Sequence, residues 1–200
     1  MTLQTDFSDK NGIHIPHGEY SCNYDILEEY LRGKHLHRII DVGAWWGPWS
    51  LYWQSRAEKI EIFEPNKKIL PMLENNISKF SNCTLHKIAL GNSQGKVSME
   101  YKLHSGTNYI TKLSGDIDIT TLDSFKFDNV DVIKIDVEGY EISVLEGARE
   151  TVMREKPIIQ IEANKLGKRY GHSKMDILKM LTGWGMKRLV KKWPDQIWAF

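Results

Sequence analysis

Three apolar runs in the sequence each end in an acid, and a carboxylate so placed can grip hydroxyls or take up protons. In Arg38-Ile39-Ile40-Asp41-Val42-Gly43-Ala44-Trp45-Trp46-Gly47 an acid and two glycines follow a buried strand. Glycines there let the backbone turn sharply and approach a ligand at the carboxyl end of the strand, where open α/β sheets hold their ligands. The run from Lys59 to Asn66 brings in Glu64 at about the separation (~20 residues) from which a carboxylate grips a ribose diol. Together these features point to one adenosyl ligand. The third run, Asp131 to Glu141, is a strand that ends in Asp136 and Glu138 and opens a helix.

Positioning such residues requires a sheet with helices packed against it. Residues 1–22 show no sustained period and form an extension, as a loop or short strand. A helix starts from Asn23 as cap, with Ile26, Leu27, Tyr30 and Leu31 on one face and Gly33 as its stop. Pro48 suits a first helical position, and Trp49, Leu51, Tyr52 and Trp53 bury one side of the helix that follows. A helix over Lys67 to Lys79 contains an awkward Pro71. Thr84 to Leu90 reads as strand three, with a turn at Gly91, Asn92 and Gly95. Residues 96–129 make the longest connection, a cap-like insertion with extra strands near Val97 to Tyr101 and Asp116 to Leu122, able to arch over the cofactor. Val130 to Ile135 is strand four, followed by one helix from Tyr140 to Arg154 and by strand five, Ile158 to Ala163. Ser173 and Asp176 form a capping box for a helix ending near Gly183, and Lys187 to Phe200 gives two antiparallel strands joined near Pro194. The expectation is a single α/β domain over residues 1–200, a doubly wound, mostly parallel seven-strand sheet closed by an antiparallel hairpin.

The strings Asp41-Val42-Gly43-Ala44, Phe63-Glu64-Pro65-Asn66, Ala89-Leu90-Gly91, Thr121-Leu122-Asp123 and Lys134-Ile135-Asp136-Val137-Glu138-Gly139-Tyr140-Glu141, in this order, resemble the FkbM-type S-adenosylmethionine-dependent methyltransferases. The resemblance runs from Ile39 to Asn164 and implies a Rossmann-like methyltransferase sheet. It departs at Trp45-Trp46, where the family carries a small polar and an aliphatic residue. On this resemblance Asp41, Gly43, Ala44, Gly47, Glu64, Pro65, Asn66, Ala89, Leu90 and Asp136 bind S-adenosylmethionine, with Asp41 organising the ammonium directly or through water and Ala89 and Leu90 under the adenine. Asp136 or Glu138 is the base, although Asp136 could instead cap the next helix and Glu138 meet its dipole. Trp45, Trp46, Glu162 and Asn164 face the acceptor, Trp45 and Trp46 as a cleft wall unless they are packing residues. Asp136, Glu162 and Asn164 could also converge on a magnesium ion, as in catechol-type enzymes, but no metal is expected. His86, His104 and His172 fall in segments near the cleft, with surface or packing roles as the default.

With 27 basic and 26 acidic residues the formal net charge is +1, which gives no global field for nucleic acid or membranes. The basic group Lys187, Arg188, Lys191 and Lys192 reads as a solvated face. Cys22 and Cys83 are too few for a disulfide framework. With no secretion-signal pattern at the start and no apolar run of the ~18 residues that span a bilayer, the expected location is the cytoplasm. The function the FkbM resemblance implies is S-adenosylmethionine-dependent methylation, with O-methylation of a hydroxyl on a sugar or other small molecule as the expectation. Its rivals are a cofactor-binding module without catalysis and a nicotinamide dehydrogenase, the latter disfavoured because Trp45 stands where the pyrophosphate turn needs glycine. Acceptor and oligomeric state are not written in the sequence.

Overall fold

The run of Ile39, Ile40 and Val42 is apolar at consecutive positions because both faces of its strand are covered, as in parallel sheets. A computed structural model describes residues 5–8, 14–16, 24–102 and 107–200. Two short antiparallel strands, β1 (Thr5–Ser8) and β2 (His14–Pro16), come first. A 3₁₀ turn, Tyr24–Leu27, leads into α1 (Glu28–Leu31), and the expected cap Asn23 lies outside the described residues. β3 (Leu36–Val42), α2 (Pro48–Trp53), β4 (Ala57–Phe63), α3 (Leu70–Ile77) and β5 (Cys83–His86) follow.

The expected strand from Thr84 to Leu90 is divided. Ala89–Leu90 forms β6, which leaves the main sheet and pairs in parallel with β8 (Tyr109–Thr120). β7 (Gly95–Glu100) pairs antiparallel with β8, so the long connection is a separate three-stranded sheet of order β6-β8-β7. β9 (Val130–Ile135), α4 (Glu141–Glu146), α5 (Arg149–Glu155), β10 (Ile158–Glu162), α6 (Lys174–Gly183), β11 (Lys187–Lys192) and β12 (Asp195–Ala199) complete the fold.

The main sheet has seven strands in the order β11-β12-β10-β9-β3-β4-β5. β12 is antiparallel to β10 and β11, and the other pairs are parallel. On one face Ile40, Ile133 and Ile159 pack with Leu145 and Val152 of the C-terminal helices and with Val97 and Ile117 of the small sheet. On the other, Ile39, Ile60 and Ile62 meet Leu31, Trp49, Trp53 and Leu73. This is the doubly wound arrangement expected.

Two helices differ from their expected spans. α3 starts at Leu70, which places Pro71 in its first turn, where a missing N–H costs nothing. The expected helix from Tyr140 to Arg154 is two helices, parted at Gly147 and Ala148; Gly147 packs so close to Gly91 that a Cβ on it would stand 1.9 Å from the Gly91 carbonyl oxygen. Asp123 then starts α5, its carboxylate accepting from the N–H groups of Glu150 (3.0 Å) and Thr151 (2.8 Å). The capping box of Ser173 and Asp176 forms as expected. Among the described residues no helix is long and apolar enough to cross a membrane.

Candidate active site

The chain leaves β3 at Gly43, and the next strand over fixes what can stand there. Gly43 has φ +79°, and a Cβ on it would lie 1.9 Å from the Asp136 carbonyl oxygen. The Asp136 N–H donates to the Val42 carbonyl at 3.0 Å, which closes the contact between the ends of β3 and β9. Gly47, at φ +93°, serves the entry of α2, and a Cβ there would lie 2.9 Å from Leu73 Cδ1.

Asp41 is fully buried behind this turn. Its Oδ2 accepts from Ser50 Oγ at 2.7 Å, and its Oδ1 lies 3.1 Å from Lys134 Nζ. Lys134 also donates to the Gly43 carbonyl at 2.7 Å. Asp41 therefore supports the turn from beneath and is not among the residues lining the cleft. Sequence reasoning missed Lys134. Its signal was a lysine between the apolar Ile133 and Ile135, since such a cation is buried only when paired.

Glu64, at the end of β4, is buried and accepts from the backbone N–H groups of Trp45 and Asn66, both at 2.8 Å. Burial pushes its pKa up to about 7. A carboxylate has roughly four lone-pair positions, so each oxygen keeps capacity for a further donor.

Glu64 lines a cleft of about 730 Å³ counted out to its open mouth. Gly43, Trp45, Pro65 and Asn66 line it beside Glu64, with Ile88, Ala89 and Leu90 as an apolar floor and Asp136 and Glu138 at the end of β9. Met99, Asn108, Tyr109 and Ile110 from the inserted sheet complete the lining. Arg169 stacks over Tyr109 at 3.7 Å, and Tyr170 Oη donates to the Ile110 carbonyl at 2.6 Å, so the segment after β10 holds the insertion in place.

Carboxylate oxygens of Asp136, Glu138 and Glu162 lie within 4.8 Å of one another. Burial, then the charge of Asp136, pushes Glu138 up to about 8 and Glu162 up to about 9. Glu138 is held there at φ 58°, and Gly139 follows at φ +102°, where a Cβ would lie 2.6 Å from the Leu166 backbone. The buried Glu141, also missed by sequence reasoning, accepts from the Gly139 N–H at 2.8 Å, and burial raises it to about 7. Asn164 is not the third oxygen of this trio. Its amide donates to Glu162 at 2.6 Å and its oxygen accepts from the Leu166 N–H at 2.6 Å.

The paired tryptophans separate. Trp45 lines the cleft, whereas Trp46 is buried against Ile69 and Met72, so the cleft-wall expectation fails for Trp46 and its role is packing. Ala44 and Gly47 are buried and do not line the cleft either. His86 is bonded to Glu61 at 2.8 Å and stacked on Phe63, His172 is not among the lining residues, and His104 lies outside the described residues. Asn92 is a turn residue donating to Glu146 at 2.8 Å, and Lys187, Arg188, Lys191 and Lys192 are exposed.

Residues 114–187 match the family described as the methyltransferase FkbM domain. The FkbM resemblance holds. The matched stretch takes in Asp136, Glu138 and Glu162 and ends before the last strand pair is complete. No match is found among curated proteins. Among solved structures the chain is similar to an FkbM methyltransferase from Methylobacillus flagellatus, at 21% identity and a TM-score of 0.60 over 86% of this chain and 45% of that one. The chain thus spans less than half the length of that FkbM protein. It is similar to a precorrin-8w decarboxylase from Methanobacterium thermoautotrophicum, at 13% identity and a TM-score of 0.58 over 100% of this chain and 99% of that one. A candidate methyltransferase from Streptococcus mutans in complex with SAH is similar at 8% identity and a TM-score of 0.53, over 90% of this chain and 98% of that one. At these identities the likeness is one of fold.

Proposed function

We propose that this chain is an S-adenosylmethionine-dependent methyltransferase acting on a hydroxyl of a sugar or other small molecule. The observation that carries the reading is Glu64, a buried carboxylate with acceptor capacity left on both oxygens, in the wall of a cleft that also holds the carboxylates of Asp136 and Glu138. The residues present fit the cofactor: Glu64 for ribose hydroxyls, Ala89 and Leu90 for an adenine face, and the turn at Gly43, which carries no side chain into the cleft, for the amino-acid portion. When bound, the cofactor supplies an electrophilic methyl group. The FkbM match and the methyltransferase fold support this reading.

The chain's own part is to hold and deprotonate the acceptor. Trp45 and Tyr109 offer aromatic faces on which a sugar ring stacks. Glu138, with its pKa near 8, takes up a proton at the pH where such a base works best. Burial, and after it the charges of Asp136 and Glu141, keep that proton affinity high, and the close approach of Gly139 to the Leu166 backbone fixes the loop.

Calorimetry with S-adenosylhomocysteine tests the cofactor half: the chain binds it and not NAD, and Glu64→Ala weakens binding at least tenfold, as the loss of ~1.4 kcal/mol would do. Unchanged affinity in a folded variant removes Glu64 from that role. Release of S-adenosylhomocysteine with a hydroxyl-bearing acceptor panel tests turnover, and cofactor binding with no turnover on any acceptor would favour a binding module.

A further inference from the structure

At the end of β3 remote from the cleft, His35 and His37 stand two residues apart and so point to one side of the strand. Leu36 between them is buried in the core, which turns both imidazoles to solvent. The register Leu36 with Ala57 sets Glu58 of β4 beside them. His35 Nε2 lies 2.7 Å from Glu58 Oε1, His37 Nδ1 lies 3.2 Å from Oε2, and the two rings meet edge to face at 4.8 Å.

We propose that His35, His37 and Glu58 bind one divalent transition-metal ion of the zinc type. One ligand atom from each of the three lies within 4.8 Å of the other two. An ion bound at ~2.0–2.1 Å needs its ligands on the order of 3.3 Å apart, so only small side-chain shifts are required. Two imidazoles and a carboxylate favour zinc, copper or nickel over magnesium or calcium. Six steps along the chain, at ~3.3 Å each, lead from His37 to Gly43, which puts the ion ~20 Å from the cleft. The ion therefore staples β3 to β4 and leaves a coordination position open to water or to a partner's side chain.

Zinc titration of the untagged chain at pH 7.5 decides. One ion binds per chain with micromolar or tighter affinity, zinc raises the melting temperature, and magnesium does neither. His35→Asn and His37→Asn fold as the parent does without metal, bind zinc at least tenfold more weakly and lose the zinc-dependent rise, while Cys83→Ser keeps both. Absence of saturable zinc binding overturns the proposal, as does equal affinity in the parent and His37→Asn.

Discussion

Gly43 and Asp136 touch backbone to backbone, so closely that any side chain at position 43 would enter the Asp136 carbonyl oxygen. The turn that would hold a cofactor and the loop that carries the carboxylates are therefore one rigid unit. Gly43→Ala is expected to lower the melting temperature and to weaken S-adenosylhomocysteine binding by more than tenfold. Gly33→Ala is the control: Gly33 has φ +71° but open space around it, so its variant bears only the left-handed backbone cost of ~1–2 kcal/mol. Equal losses in the two variants would show that the contact with Asp136 carries no weight.

Lys134→Met leaves the fully buried Asp41 without its ion-pair partner and the Gly43 carbonyl without its donor. Breaking a buried pair from one side costs ~3–5 kcal/mol. A large drop in the urea midpoint is expected, and Asp41→Asn combined with Lys134→Met should recover part of it. A double variant no better than the single one would separate the two residues energetically.

Four carboxylates set an unusual pH dependence. Glu64 and Glu141 stand near 7, Glu138 near 8 and Glu162 near 9, against 4.5 for an unperturbed glutamate. Between 4.5 and these values the folded chain holds protons that the unfolded chain has released, so stability falls as pH rises. Melting temperatures of the ligand-free chain should therefore decline from pH 6 to pH 9, and Glu162→Gln should flatten the decline. Stability that instead climbs over this interval would contradict the cluster. Turnover should rise with pH through an apparent pKa near 8 that belongs to the cluster as a whole.

Turnover is expected to persist in excess chelator. Loss of activity on chelation, restored by magnesium alone, would assign Asp136, Glu138 and Glu162 to a cation.

Trp46→Ala removes a buried indole packed on Ile69 and Met72 and should cost ~3–5 kcal/mol, a fall of many degrees in melting temperature that affects all acceptors alike. Trp45→Gly relieves a φ of 56° and should leave stability close to the parent while altering acceptor preference. An acceptor panel and melting curves on the two variants check the division, and a reversal of the two effects would refute it.

The sequence by itself determined the sheet, its winding and the turn at Gly43. Apolar pairs such as Ile39 with Ile40 and Ile62 with Phe63 require cover on both faces, and that is a local property of the chain. The capping box at Ser173 and the acids at the strand ends were legible for the same reason. What only the tertiary structure decided were relationships between segments distant in sequence. Ala89 and Leu90 look like a continuation of β5, yet the insertion offers them a partner in β8 and draws them out of the main sheet. The close approach of Gly147 to the carbonyl of Gly91 is a contact that no helical period reports. Trp45 and Trp46 are adjacent and chemically identical, and only the position of α3 buries one and leaves the other in the cleft. Asp41 and Asn164 were read as ligand contacts, but Lys134 and Ser50 engage the first and Glu162 and Leu166 the second. Periodicity tells a residue which way to face, whereas strand order and packing decide what it meets there.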